Sequence, residues 1–105
     1  AKAKELIFTG EMIPADEAER IGLVNKVVKH EDLLTEAKEM ANKILKNAQI
    51  AVRYSKIAIN RGIETDIDTG IEIEANLFGL CFATKDQKEG MSAFVEKRKP
   101  EFKGE

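Results

Sequence analysis

Cysteine and histidine are almost missing from this chain: Cys81 and His30 are the single examples of each in 105 residues. One thiol cannot close an intrachain disulfide, so a reducing compartment is the natural setting. A Cys/His cluster at metal-ligand spacing does not occur either, which excludes a structural zinc site. Neither common type of phosphate-binding glycine loop is found, and the seven glycines sit singly, where turns and helix ends need them. No apolar run is long enough to span a bilayer, and no signal-peptide pattern opens the chain. Internal repeats, low-complexity stretches and flexible linkers are absent as well. Charge of one sign is not concentrated: the formal net charge is −2, with Lys and Arg spread along the chain. That argues against nucleic acid as a principal partner, because phosphate neutralisation needs a concentrated basic face. The expectation is a soluble intracellular protein, cytoplasmic, with the mitochondrial matrix as the alternative that reads the same way.

What remains is ordinary apolar content and a surplus of charge. Apolar residues make up 43% of the chain, which suits a globular protein, and charged residues reach 34%, so its elements must present long solvated faces. A chain of this size is one domain or one piece of a larger one, able to bury roughly 65% of its unfolded surface.

The pattern is helical almost throughout. Ala3, Leu6 and Ile7 form an apolar stripe that begins at the first residue without a cap or lead-in, and Thr9-Gly10 supplies a stop. A chain cut inside a helix would read this way, and so would a frayed natural terminus. Asp16 to Ile21 predicts a short helix closed by Gly22, with Pro14 suited to its first turn. Leu23-Val24-Asn25-Lys26-Val27-Val28 is rich in β-branched residues and predicts one short strand at 23–28. Leu33, Leu34, Ala37, Met40, Ala41, Ile44, Leu45 and Ala48 recur at 3.6-residue spacing and mark the clearest amphipathic helix. A second runs from about Ile50 to Asn60 and ends at Gly62, with Ala51, Tyr54, Ile57 and Ala58 apolar. A third runs from about Ile67 to Phe82, with Ile71, Ala75, Phe78 and Phe82 on one face, and is apolar nearly all round beyond Asn76. Thr84 and Gln87 fit a capping box opening a last helix, in which Met91, Phe94 and Val95 form a stripe and Pro100 is a stop. Glu101 to Glu105 reads as a polar tail. The fold class is mainly α with one short strand.

Few residues carry chemistry by type and spacing. His30 flanks the long helix among charged residues and reads as a surface position. Glu72 and Glu74 are two apart and so point to different sides of a helix. Asp16-Glu17 and Glu31-Asp32 sit in first turns, where carboxylates favour the positive helix end. Cys81 reads as a small core residue in an apolar segment. Lys97, Arg98, Lys99 and Lys103 lie near Phe94 and Phe102. Such a group could hold phosphates while a ring packs on a base. On spacing alone it equally fits a solvated helix end, where the macrodipole favours cations.

Several stretches resemble one family. Ala3 to Gly10 with Ala15-Asp16-Glu17-Ala18 and Ile21-Gly22-Leu23-Val24-Asn25 is similar to the "TG…A-x-x-A-x-x-x-G-L-V" stretch of the crotonase (enoyl-CoA hydratase) family. Ala51-Val52-Arg53 through Ala58-Ile59-Asn60-Arg61-Gly62 resembles the helix that follows it there. Phe78-Gly79, Cys81 to Thr84 and Glu89-Gly90-Met91-Ser92-Ala93-Phe94-Val95-Glu96-Lys97-Arg98 resemble the family's C-terminal "F-x-x-x-F-A-T-x-D-x-x-E-G-x-x-A-F-x-E-K-R" pattern, the most specific of these matches. Pro14 stands where many relatives carry serine, which removes a side-chain cap.

The resemblance implies a parent more than twice this length, in which residues 1–28 are the tail end of the crotonase core and 29–105 a C-terminal helical oligomerisation region. It implies hydration of a 2-enoyl-CoA to a 3-hydroxyacyl-CoA, in fatty-acid or butanoate metabolism, by an enzyme that self-associates as a trimer or hexamer. The two glutamates and the oxyanion-hole donors that stabilise the enolate would lie ahead of Ala1, so no residue here is expected to be catalytic and the chain alone should be inactive. The family lends an aromatic and a lysine from its last helix to the CoA site near the adenosine 3′-phosphate, and by motif position these match Phe94 and Lys97. No metal and no cofactor beyond the CoA of the acyl-CoA substrate is implied, nor a membrane or nucleic-acid partner. An isomerase of the same family, or a free-standing non-catalytic oligomerisation module, are the alternatives.

Overall fold

The computed structural model describes all of residues 1–105, and it contains helices and turns without a β-strand. Two compact units divide the chain, Ala1–Ala37 and Lys38–Glu105.

The first unit opens with α1 (Lys2–Thr9), which Gly10 ends in the left-handed region at φ 66°, its N–H donating to the Leu6 carbonyl. Glycine takes that conformation without the Cβ clash that other residues meet. The short α2 (Ala15–Arg20) follows, with Pro14 one position outside it as the N-cap and no side-chain cap bond. Its buried residue is Ala18.

The strand expected at 23–28 does not form. The Leu23 and Val24 N–H groups both donate to the Ala18 carbonyl, and the Val27 N–H donates to the Glu19 carboxylate at 3.1 Å. β-branched composition favours an extended backbone, but a ladder needs a second extended segment, and this unit offers none. Lys26, within this stretch, pairs with Glu36 at 2.5 Å.

A 3-10 turn at His30–Asp32 leads into α3 (Leu33–Leu45), which crosses from the first unit into the second. The second unit then holds α4 (Gln49–Gly62), α5 (Ile67–Cys81) and α6 (Lys85–Val95). Asp66 caps α5 by accepting from the Thr69 N–H at 3.0 Å and the Thr69 hydroxyl at 2.6 Å. Of the capping box expected for α6, half is made: Thr84 Oγ1 accepts from the Gln87 N–H at 3.1 Å. The Thr84 N–H donates to the Cys81 carbonyl, so it is not free for the glutamine side chain.

α4 and α5 pack on each other. Ala51, Ser55, Ala58 and Gly62 of α4 and Gly70, Glu74, Leu77 and Cys81 of α5 line the cleft between them. The small residues let the backbones approach: a Cβ added at Gly70 would touch Gly62 Cα and O at 3.6 Å. The α4 positions Ala51, Tyr54, Ile57 and Ala58 are half-buried, as their spacing predicts. On α5 the outcome differs. Leu77 and Cys81 are half-buried, whereas Ile71, Phe78, Leu80 and Phe82 stay exposed, with the Phe78 and Phe82 rings edge to face at 5.3 Å.

Exposure of that kind runs through the molecule. The chain presents 9001 Å² to solvent, against about 5,900 Å² for a folded monomer of its mass.

Candidate functional site

The last helix and the segment after it are the most tightly tied part of the chain. α6 ends in a Schellman motif: the Lys97 N–H donates to the Phe94 carbonyl at 3.3 Å and the Arg98 N–H to the Ala93 carbonyl at 3.0 Å. The residue at the left-handed position of that motif is normally glycine. Here it is Lys97, at φ 56°, the one non-glycine residue of the chain with positive φ.

Residues 98–105 then fold back along α6 instead of trailing into solvent. Arg98 grips Glu89 with two parallel hydrogen bonds, 2.5 and 3.0 Å, and reaches Glu96 with its Nε at 2.6 Å. Glu89 Oε1 also accepts from the Glu101 N–H at 2.8 Å. At the next residue, the Phe102 ring lies over Gly90, where a Cβ would meet it at 3.4 Å. Nearer the start of the helix, Asp86 accepts from the Lys103 N–H at 2.7 Å and the Gly104 N–H at 2.8 Å, while its own N–H donates to the Glu105 carbonyl. Lys85 closes the clasp on Glu105 at 2.7 Å. Asp86 and Ala93, at 2% and 1% exposure, are with Ala18 the buried residues of the chain.

The electrostatics follow from these bonds. Arg98, and after it the Glu101 N–H, hold the Glu89 carboxyl down at about 2. Asp66 is likewise held at about 2 by Thr69, and Glu17 and Glu105 are lowered by Arg20 and Lys85. A general acid needs the opposite, a carboxyl raised toward neutral pH. These groups are structural anchors.

The sequence-predicted cation cluster is therefore split. Arg98 is consumed by Glu89 and Glu96, and Lys103 lies by Asp86, about 16 Å of helix away from the other end. Phe102 packs on Gly90 rather than beside Phe94. Phe94 and Lys97 stay together at the helix end, three residues apart. Phe94 is 81% exposed, and no carboxylate pairs with Lys97. Elsewhere, Lys46 and Lys99 flank a shallow recess lined by Leu45, Pro100 and Phe102. His30 and Glu72 and Glu74 are exposed, and Cys81 is half-buried with its thiol donating to the Leu77 carbonyl. No group of three or more His, Cys, Asp or Glu could hold a metal ion.

Sequence reasoning missed the clasp. Its signals were Asp86, Glu89 and Gly90 spaced three and one apart on the face opposite the Met91/Phe94/Val95 stripe, with Phe102 in a segment read as merely polar.

The family model described as enoyl-CoA hydratase/isomerase matches residues 1–105. The short-chain-enoyl-CoA hydratase of Clostridioides difficile is 67% identical over 94 residues, 90% of this chain and 61% of the relative. Crotonyl-CoA hydratase of Syntrophomonas wolfei is 62% identical over 100 residues, 95% of this chain and 38% of the relative. In the solved enoyl-CoA hydratase of Bacillus anthracis, 41% of that chain superposes on the whole of this one with a TM-score of 0.95 at 48% identity. The chain thus spans between about two-fifths and three-fifths of the length of the relatives it matches. With the whole sequence inside the family model and every helix superposed on a solved member, the chain belongs to the enoyl-CoA hydratase/isomerase family.

Proposed function

We propose that this chain is the carboxyl-terminal part of a short-chain enoyl-CoA hydratase, in which it contributes the CoA nucleotide contact and subunit assembly. The reaction adds water across the 2,3-double bond of an enoyl thioester to give the 3-hydroxyacyl-CoA. Proton transfer and stabilisation of the thioester enolate belong to the part of the enzyme that precedes these residues, because no carboxylate here is poised for acid–base work. CoA arrives as part of the substrate, and no further cofactor is required.

The observation that carries the reading is the pair Phe94 and Lys97. An exposed ring and, three residues on, a lysine with no carboxylate partner share a helix end whose backbone is held by the Lys97 N–H to Phe94 carbonyl and Arg98 N–H to Ala93 carbonyl bonds. The ring offers a face to a base or ribose, and the ammonium offers charge to the 3′-phosphate. The exposed faces of α3 and α5 support the assembly role: apolar surface on this scale is covered by other protein, here the preceding core and neighbouring copies in a trimer or hexamer. No helix is long and apolar enough to cross a membrane, and a single unpaired cysteine suits a reducing, cytoplasmic setting.

Hydration of crotonyl-CoA followed by loss of enone thioester absorbance tests the reading. The full-length protein should turn over and these 105 residues alone should not. Turnover by the isolated chain would overturn the division of labour, and a full-length protein that shifts the double bond without adding water would favour the isomerase.

A further inference from the structure

The nucleotide contact depends on a backbone conformation that Lys97 would not choose. A Schellman turn with φ near +60° suits glycine, and any side chain there is disfavoured by its own Cβ. A residue held in such a conformation points to surroundings that over-determine it, and such holds gather at functional positions. Those surroundings are the residues that follow. Arg98, the next residue, is fixed at its backbone by the Ala93 carbonyl and at its guanidinium by Glu89 in a bidentate pair. The same Glu89 carboxylate takes the Glu101 N–H, and Asp86 takes those of Lys103 and Gly104. Two α6 carboxylates thus bind the chain on the far side of Lys97 at several points. The helix binds it on the near side, so Lys97 is left no freedom to unwind.

We propose that Glu89, through Arg98, is a positioning residue for CoA recognition, with Asp86 anchoring the tail behind it: the carboxylate clasp keeps Lys97 in its left-handed turn beside Phe94, ready for the nucleotide phosphate. This rests on the nucleotide reading above. Glu89 and Arg98 touch no ligand; they act by removing conformational freedom that binding would otherwise have to remove. A flexible 97–105 segment would still carry the same charge, but would have to order it on each binding event.

The test uses the full-length hydratase. Glu89→Gln removes the charge that grips Arg98 while keeping size and one acceptor. It should raise KM for crotonyl-CoA about fivefold with kcat within about twofold, because the contact is remote from the reacting carbons. The 3′-dephospho thioester should lose little. In a Lys97→Ala background the same substitution should add less than about twofold, since there is no ammonium left to position. Arg98→Ala, which removes the exposed partner of the pair, should repeat the pattern and carries the test should Glu89→Gln fold poorly. Equal KM increases for both thioesters, or full additivity with Lys97→Ala, would reduce Glu89 to a stabilising residue and overturn the proposal. A Lys97→Ala effect with none from Glu89→Gln or Arg98→Ala would overturn the positioning role alone. No effect from Lys97→Ala would overturn the nucleotide reading and this proposal with it.

Discussion

α3 and α6 are both amphipathic, and they solve the problem of an apolar face in opposite ways. α3 carries the clearest apolar repeat of the sequence, yet none of its thirteen residues is buried, and Leu34 is 72% exposed. α6 has a weaker repeat, yet it holds two of the three buried residues of the chain. The difference lies in what covers each helix. α6 is covered by its own tail, tied down through Asp86, Glu89 and the Phe102 ring on Gly90. The stripe of α3 has no residue buried along its length. A hydrophobic period shows that a helix has a face to hide, and says nothing of whether the same chain hides it.

The largest break in this comparison should come at Asp86. Asp86→Ala leaves the Lys103 and Gly104 N–H groups without their acceptor and should cost about 2–3 kcal/mol, read as a lowered urea midpoint. Equal stability of wild type and variant would mean that the tail does not depend on the clasp.

How much of this was legible follows the same division. All six helices could be read, because periodicity, capping and stop signals are local: Gly10 after α1, Thr84 as the N-cap of α6, Gly62 at the end of α4. The α4 face was legible for the same reason, its neighbour α5 being next in sequence. The strand at 23–28 was misread because β-composition is local and a partner strand is not. Which side of α6 is buried was not legible from the stripe. Met91, Phe94 and Val95 are exposed, while a small alanine and an aspartate are buried, since backbone N–H groups of the tail rather than apolar side chains fill that face. Phe94 and Lys97 were found by resemblance alone; their spacing did not distinguish them from a solvated helix end.

The converse of the Asp86 result should appear on α3. Leu34→Ser with Ile44→Ser should leave the unfolding free energy of the isolated chain within about 0.5 kcal/mol. Self-association should weaken at least about tenfold, near 1.4 kcal/mol, by sedimentation equilibrium. Marked destabilisation of the monomer instead would mean that the stripe is covered within the chain.

Acid sharpens the comparison by loosening the clasp on α6. Glu89 sits at about 2 in the folded chain against an ordinary 4.5, so it binds fewer protons folded than unfolded. Its contribution is complete above about pH 4.5 and is lost as pH falls through about 2. Amide exchange at Glu101, Lys103 and Gly104 should therefore quicken, relative to α3, as pH falls through that window, after correction for intrinsic rates. In Glu89→Gln the extra pH dependence at Glu101 should disappear; its persistence there would assign the effect to another carboxylate.

The most direct measurement is the smallest in size: KM of the full-length Lys97→Ala enzyme for crotonyl-CoA and for its 3′-dephospho analogue, at low and high salt. The account predicts a KM about fivefold higher for crotonyl-CoA at low salt with kcat unchanged, shrinking as salt screens the pair, and almost no change for the analogue. An unchanged KM for crotonyl-CoA at low ionic strength would contradict it and return Lys97 to the role of a solvated cation at a helix end.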